Sequence, residues 1–305
     1  MIRASVDIGS NSVLLLVAEV DKISGRIIKE ILNLSSVTSL GKDLDKTKKF
    51  HPESMAATKI ALTLYKAELD KINFEIGNVL VTATEASRIA INAKDFFLEI
   101  FKELGFKIIL VSALGEAYYT ALGVGSTLEG NEQVVIMDMG GASTELIKIK
   151  LDPFEILSTI SLPVGSVRAA DWLLENNFES NMATILDRDF SPYMTKSLIG
   201  VAGTMTSLAS MFFGHHQFSD KDIDGKNIKF SAFKDFCLDL QKTNIANLLL
   251  LFPYLGKRAP MLAAGATVAC MIGEKLGVEQ VQISTRGLRY GVLIQGEINE
   301  KFSVG

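Results

Sequence analysis

Apolar residues come in short, dense runs at the start of the chain. Residues 3–8, 12–20 and 25–34 are rich in Val, Ile and Leu. They are broken by "DIGSNS" (Asp7–Ser12) and by "DKISGR" around Gly25. Such runs, bounded by turn-forming residues, predict a three-stranded meander. The period then changes. "HPESMAATKIALTLYKAELDKI" carries apolar residues at helical spacing behind Pro52 and Glu53, which predicts a helix. "NVLVTAT" (78–84) predicts a strand. "EASRIAINAKDFFLEIFKELG" (85–105) predicts one helix stopped by Gly105. "KIILVSA" (107–113) predicts a strand, and "GEAYYTALGVG" (115–125) a short helix.

The order then starts again. Strands are predicted at 133–139, 143–151 and 154–162, a helix at 165–178, a strand at 197–203 and a helix at 204–213. Further helices are expected between 214 and 276, a strand at 278–284 and a closing helix at 287–302. Each half therefore reads as a meander followed by alternating helices and strands. That is an internal duplication, with a parallel part of each sheet covered by helices. The expected domains are 1–124 and 125–287. The segment from about 288 to 305 packs back on the first, and the joint falls at 122–133, where glycines cluster. Two α/β halves leave a cleft, the expected place for a ligand.

The opening motif also recurs. Asp7-x-Gly9-x-x-Ser12 matches Asp138-x-Gly140-x-x-Ser143, each after one apolar strand and before another. Both meanders end on a glycine, Gly41 in "SLGKDL" and Gly165 in "LPVGSVR". A single D-x-G-x-x-S is turn punctuation. Two at matching topology point to chemistry. Small residues let backbone N–H groups approach an anion, and hydroxyls add donors. A carboxylate at each strand end suits Mg²⁺, which prefers oxygen ligands and keeps its waters. Two phosphate loops and two carboxylates are what a polyphosphorylated substrate needs. Neither loop is a Walker A.

Composition narrows this picture. The 305 residues suggest about two domains, and 48% hydrophobic content allows a large core. A net charge of -4 argues against duplex nucleic acid as the main partner, but not against a small anion. Cys237 and Cys270 have no metal-type spacing and read as two ordinary thiols in a reducing compartment. His215 and His216 lack a third ligand. The chain opens directly on a strand, and no stretch is long enough to span a bilayer. A soluble cytoplasmic protein is expected.

At these residues the chain resembles the actin/Hsp70/sugar-kinase superfold, through the two hairpins and "VAGTMTSLA". Within it, the chain is similar to the exopolyphosphatase/guanosine pentaphosphate phosphatase (Ppx/GppA) family. The matching stretches are "DIGSNSVLLLVAEV", "VTATEASRIAINAKDFF", "VSALGEAYYTALGVG", "MDMGGASTELI", "SLPVGSVR", "GVAGTMTSLA" and "STRGLRYGVL". They follow the family's order and span nearly the whole chain. The resemblance implies two actin-like (ribonuclease H-like) α/β domains, each a mixed sheet flanked by helices, with the active site in the cleft. It implies Mg²⁺ or Mn²⁺, and removal of the terminal phosphate of polyphosphate or the 5′ γ-phosphate of pppGpp. A chain of this length resembles the short two-domain type, so short polyphosphate or pppGpp is expected. The implied partner is polyphosphate or guanosine penta/tetraphosphate; a homodimer is compatible with the sequence.

The same resemblance implies roles for residues. Glu116 is the general base, Glu145 a second carboxylate that orients water or metal, and Arg88 the arginine that contacts phosphate. Asp7 and Asp138 stand near the metal. Gly9, Ser10, Asn11 and Ser12 match one phosphate loop, and Gly140, Gly141, Ala142, Ser143 and Thr144 the other. Gly203 and Thr204 match a glycine-rich turn on the far side of the cleft. Taken without the family, each has a plainer reading. Glu116 complements a helix dipole, Glu145 and Arg88 are solvated charges, and Thr204 is an N-cap. The run Lys42, Lys46, Lys48 and Lys49 reads first as a solvated loop.

Four positions depart from the family pattern. Ala142 replaces a glycine and fits only if its φ is negative. Tyr118 replaces an arginine, Tyr290 a glutamate and Pro260 an aspartate. Ala142, Tyr118 and Tyr290 keep open a weak (p)ppGpp-binding sensor as an alternative. An ATP-dependent kinase of the same superfold is another, though such kinases usually carry an Asp base, and Glu116 favours water as nucleophile.

Overall fold

The computed structural model describes residues 1–130 and 132–304. Residue 131, within the expected joint, and residue 305, at the end of the returning segment, lie outside the described residues. The chain begins with β1 (Ile2–Ile8), β2 (Ser12–Val20), β3 (Ile27–Val37), α1 (Leu44–Thr47) and α2 (Pro52–Lys71). It continues with β4 (Leu80–Ala83), α3 (Glu85–Ile89), α4 (Ala93–Leu104), β5 (Ile108–Leu110) and α5 (Ala113–Gly125). Then come β6 (Gln133–Met139), β7 (Thr144–Lys150), β8 (Glu155–Leu162), α6 (Ser166–Leu174), α7 (Phe178–Leu186), β9 (Ser197–Val201) and α8 (Ala202–Phe212). The last part holds α9 (Asp220–Ile223), β10 (Asn227–Lys229), α10 (Phe230–Lys242), α11 (Ile245–Leu251), α12 (Ala259–Leu276), β11 (Gln280–Ile283) and α13 (Leu288–Gln295). Two compact units result: 1–127 with 288–305, and 128–287.

The first unit holds a five-stranded sheet in the order β3-β2-β1-β4-β5, and the second a six-stranded sheet in the order β10-β11-β9-β6-β7-β8. In each, an antiparallel meander is joined through its first strand to parallel strands. The second sheet repeats the order of the first and adds β10 as an antiparallel edge beside β11. Mixed sheets flanked by helices, in duplicate, are thus present as expected.

Period-two alternation builds the cores. In the first unit Ala4, Val6, Ile8, Val13, Leu15 and Val17 point to one face, where Leu62 and Tyr65 of α2 and Phe96 and Ile100 of α4 meet them. On the other face Leu16, Ala18 and Val20 meet Tyr290 and Leu293 of α13. Each large apolar side chain so buried contributes about 1.5–3 kcal/mol. Among the described residues no helix is long and apolar enough to cross a membrane.

Three expected helices are shorter than their apolar spacing suggests. The helix expected at 85–105 breaks between α3 and α4. Ala90 is extended there, Ile91 N–H donates to Lys48 O, and the Asn92 side chain bonds both main-chain groups of Phe50. These long-range hydrogen bonds outcompete helix continuation. The helix expected at 165–178 ends at Leu174, because Asn176 adopts a left-handed φ of 55°. The closing helix stops at Gln295. Gly296 follows with φ 80°, and a Cβ there would come within 2.5 Å of the Arg3 guanidinium. The third strand runs to Val37 rather than 34, and starts after a turn where Asp21 accepts from the Ile23 and Ser24 N–H groups.

Candidate active site

In the first unit the parallel strands β1, β4 and β5 end near one another, in register through Ile8, Ala83 and Leu110. Carboxyl ends of parallel strands are where open α/β sheets bind ligands. Each of the three ends carries part of the expected site. At the end of β1, Asp7 precedes the hairpin loop Gly9–Ser12, which is closed by Gly9 N–H donating to Ser12 O at 2.9 Å. The segment after β3 supports this loop: Thr38 and Ser39 N–H both donate to Asn11 O at 3.0 Å, and Gly41 N–H donates to Ser10 O at 2.6 Å. At the end of β4, α3 carries Arg88. At the end of β5, Ser112 caps α5 by accepting from Gly115 N–H at 3.1 Å, which places Glu116 in the first turn.

Arg88 and Glu116 meet. Arg88 Nη1 donates to Glu116 Oε2 at 3.0 Å and to Val111 O at 2.7 Å. Their side chains are only 20% and 12% exposed, which makes this a mostly desolvated pair rather than a surface contact. The plain reading of Arg88 as a solvated charge does not describe this geometry; Glu116 stands in the first turn, where a carboxylate complements the helix dipole, and also pairs with Arg88. The returning segment fixes the start of α5 from behind. Ser112 N–H donates to Phe302 O at 2.7 Å, and a Cβ at Gly115 would fall 2.6 Å from Phe302 Cβ.

The second unit repeats the arrangement. Gly140 N–H donates to Ser143 O at 3.0 Å and closes the second hairpin. The glycine ending the second meander lies directly against it: a Cβ at Gly165 would come within 2.5 Å of Gly141 C, so the contact needs a residue without one. The amides that open α6 are spent on this loop, with Ser166 N–H donating to Gly140 O, and Val167 and Arg168 N–H to Gly141 O. Arg168, nearly buried, donates from Nη1 to Ala142 O at 2.5 Å. Ala142 is not among the residues with positive φ, so its methyl group is accommodated without left-handed strain.

Asp138 and Glu145 stand directly opposite one another on β6 and β7, and Ser161 stands opposite Glu145 on β8. The three side chains therefore share one face of the sheet. Glu145 is 2% exposed, and Ser161 Oγ donates to its Oε1 at 2.7 Å. The first unit has Leu14 where the second has Glu145: Leu14 stands opposite Asp7, and Ser35 opposite Leu14. At the β9–α8 turn, Thr204 Oγ1 donates to Ser166 Oγ at 3.1 Å, while Val201 holds the cap position. Thr204 is thus tied to the base of the second loop rather than capping its own helix. A Cβ on Gly203 would sit 3.3 Å from the Arg258 guanidinium.

The structure gathers Asp7, Gly9–Ser12, Arg88 and Glu116 at the carboxyl end of the parallel strands of the first unit, and Asp138, Gly140–Thr144, Glu145, Gly203 and Thr204 at the corresponding end of the second. Sequence reasoning passed over Ser161, Arg168 and Arg258. Ser161 and Arg168 both sit inside "SLPVGSVR" without an assigned role, and the register of β7 with β8 marks the first; Arg258 lies outside the matching stretches. Lys42, Lys46, Lys48 and Lys49 are all exposed, Lys46 on the short α1 and the other three on either side of it.

The remaining departures are absorbed by packing. Tyr290 is buried, with its hydroxyl donating to Glu30 Oε1 at 3.0 Å. Tyr118 lies 4.8 Å from the Phe302 ring, and its hydroxyl donates to Gln295 Oε1 at 3.2 Å. Pro260 occupies the first turn of α12, where a missing N–H costs nothing.

Over residues 16–300 the chain matches the model of the Ppx/GppA phosphatase family. It is 30% identical, along 98% of its length, to a bifunctional 3-dehydroquinate synthase/phosphatase of Fusobacterium nucleatum, and spans 47% of that protein. It is 26% identical, along 95% of its length, to exopolyphosphatase 2 of Mycobacterium tuberculosis, and spans 97% of that one. Among solved structures it is similar to an Aquifex aeolicus Ppx/GppA family member, with a TM-score of 0.77 at 27% identity over 97% of both chains.

Proposed function

The chain belongs to the Ppx/GppA phosphatase family, and from that premise we propose that it is a phosphoanhydride hydrolase acting with Mg²⁺ on the terminal phosphate of inorganic polyphosphate, the 5′ γ-phosphate of pppGpp, or both. The observation that carries this reading is the mostly desolvated Arg88–Glu116 pair beside the first hairpin. Phosphoryl transfer asks little covalent chemistry of a protein. It asks for charge neutralisation, placement of water and a base. Arg88 offers a planar guanidinium suited to phosphate oxygens. Glu116, fixed in the first turn of α5, takes the proton from the attacking water. Glu145, steadied by the Ser161 hydroxyl, orients water or an ion. The two hairpin loops and the Gly203–Thr204 turn hold phosphate oxygens.

The donor chemistry supports Mg²⁺, or Mn²⁺ in its place. Asp7, Asp138 and Glu145 supply only hard carboxylate oxygens. Mg²⁺ is commonly held by one or two carboxylates together with waters and substrate phosphates. When bound, such an ion neutralises phosphate charge.

The decisive assay measures phosphate release with Mg²⁺ from pppGpp and from polyphosphates of graded length. Release without any acceptor is expected, reduced about 10²–10⁴-fold in Glu116→Gln. Strict dependence on an acceptor hydroxyl would make the chain a kinase. Nucleotide binding without release would make it a sensor. Full activity in Glu116→Gln would remove Glu116 from the role of base.

A further inference from the structure

We propose that Cys237 and Cys270 form a redox modification site, at which a peroxide oxidises the two thiols to an intramolecular disulfide joining α10 to α12. The sequence reads them as unrelated thiols 33 positions apart. The fold brings them together. Helices α10 and α12 pack antiparallel, and three other cross-helix contacts fix their register. The Phe230 ring lies where a Cβ on Gly273 would come within 2.5 Å. Lys234 is ion-paired with Glu274. Gln241 Nε2 donates to Thr267 Oγ1 at 2.9 Å. The Cys237–Cys270 pair falls in that register, between the last two contacts. Its thiols hydrogen-bond each other.

The environment divides the roles. Cys237 is buried and Cys270 half-buried. The hydrogen bond from Cys237, with help from the Lys234 charge, lowers the Cys270 pKa against the opposing effects of burial and Glu274. The same bond and burial raise Cys237. A partly exposed thiol with a lowered pKa, backed by a second thiol in hydrogen-bond contact, is an arrangement that peroxides oxidise. Cys270 thiolate attacks a peroxide oxygen; the O–O bond breaks, giving Cys270 sulfenic acid and a released hydroxide or alkoxide that takes up a proton. Cys237 then loses its proton and attacks the Cys270 sulfur. The S–O bond breaks, hydroxide leaves as water, and the disulfide remains. In sum, two thiols and one peroxide give one disulfide, one water and one alcohol or second water.

The bond would pin α12, whose Gly265 packs against Thr204 and Ser166. The proposal does not depend on the hydrolase reading, and its test uses no activity. Native full-length protein is treated with graded hydrogen peroxide, alkylated and analysed by intact mass and peptide mapping without reductant. Both thiols should disappear together from a monomer two hydrogens lighter, with a peptide linking positions 237 and 270 that dithiothreitol reverses. Cys237→Ser should leave a Cys270 sulfenic acid that dimedone traps, and Cys270→Ser should leave Cys237 unreacted. The proposal is overturned if both thiols survive a dose that oxidises the urea-unfolded chain, if wild-type protein loses one thiol alone, or if the bridges form between chains. The wild-type peptide map decides even if a variant does not fold.

Discussion

The backbones of α5 and α13 touch at Gly291, and Gly291→Ala tests how firmly that contact holds the helix bearing Glu116. A Cβ built at Gly291 would lie 1.8 Å from Tyr119 O, 2.6 Å from Tyr119 C and 2.9 Å from its Cα. Carbon and carbonyl oxygen meet at about 3.3 Å, so the two helices would have to separate by more than an ångström. The obstruction is backbone, and no rotamer change relieves it. Overpacking into a filled core costs about 1–3 kcal/mol and sometimes more. Here Leu288, Tyr290, Val292 and Leu293, all buried, would lose packing together. The opposing effect is the better helix propensity of Ala, about 1 kcal/mol. A backbone obstruction puts the cost at the upper end of that range, and we expect a net loss of about 2 kcal/mol, or roughly 4–8 °C in Tm. Gly77→Ala is the control, because nothing lies within 4 Å of a Cβ there. Thermal and urea unfolding of the two variants read the difference. A Gly291→Ala protein as stable as the wild type would refute the close helix contact, and with it the account of how α5 is held. Phosphate release should fall with it, since Glu116 lies one turn before Tyr119 on the displaced helix.

Arg88→Lys keeps the charge, but its shorter side chain stops short of the place where Nη1 bonds both Glu116 and Val111 O; it should cost about 1–3 kcal/mol in urea unfolding and lower phosphate release at least about tenfold. Ala202 sits at the start of α8 with φ 72°, so Ala202→Gly should relieve strain of about 1 kcal/mol and shift the urea midpoint upward or leave it unchanged; a clear loss would contradict the left-handed assignment. Burial raises Tyr65, Tyr119, Tyr193 and Tyr254 above their usual 10.0. A group raised in the fold keeps its proton there while the unfolded chain loses it. Its contribution is therefore complete below pH 10 and disappears as pH rises through the folded value. Phenolate absorbance from these four should rise together with loss of the circular dichroism signal above pH 10, and ionisation of all six tyrosines in a still-folded protein would contradict the burial.

Local signals made the frame legible in the sequence. Period-two apolar runs and turn residues mark both meanders, and the doubled D-x-G-x-x-S places a hairpin at the same point of each. What was not legible depends on distant partners. Nothing within residues 85–105 announces that Lys48 and Phe50 will bond Ile91 and Asn92 and break the helix. Nothing in the spacing of two cysteines announces that α10 and α12 lie antiparallel. The two tyrosines that replace Arg and Glu of the family pattern looked like losses to the site. One is held by Glu30 and the other by Gln295, outside the gathered residues.

Glu145 shows what register adds to pattern. Along β7 it reads as one polar residue in alternation, open to solvent. In the sheet it is 2% exposed, beside Ser161 and directly opposite Asp138. Like charges set opposite on adjacent strands cost stability, and burying a carboxylate costs more. The duplication supplies an internal comparison, because the first unit solves the same position with Leu14 opposite Asp7. A leucine at 145 would contribute about 1.5–3 kcal/mol of burial instead of incurring these costs. A fold that can accept Leu at this place in one copy, and keeps Glu in the other, departs from the stable choice on one side only. Such local departures from packing logic concentrate where chemistry requires them. This asymmetry supports the chemical role proposed for Glu145 by an argument that draws on no relative, only on the two halves of this chain.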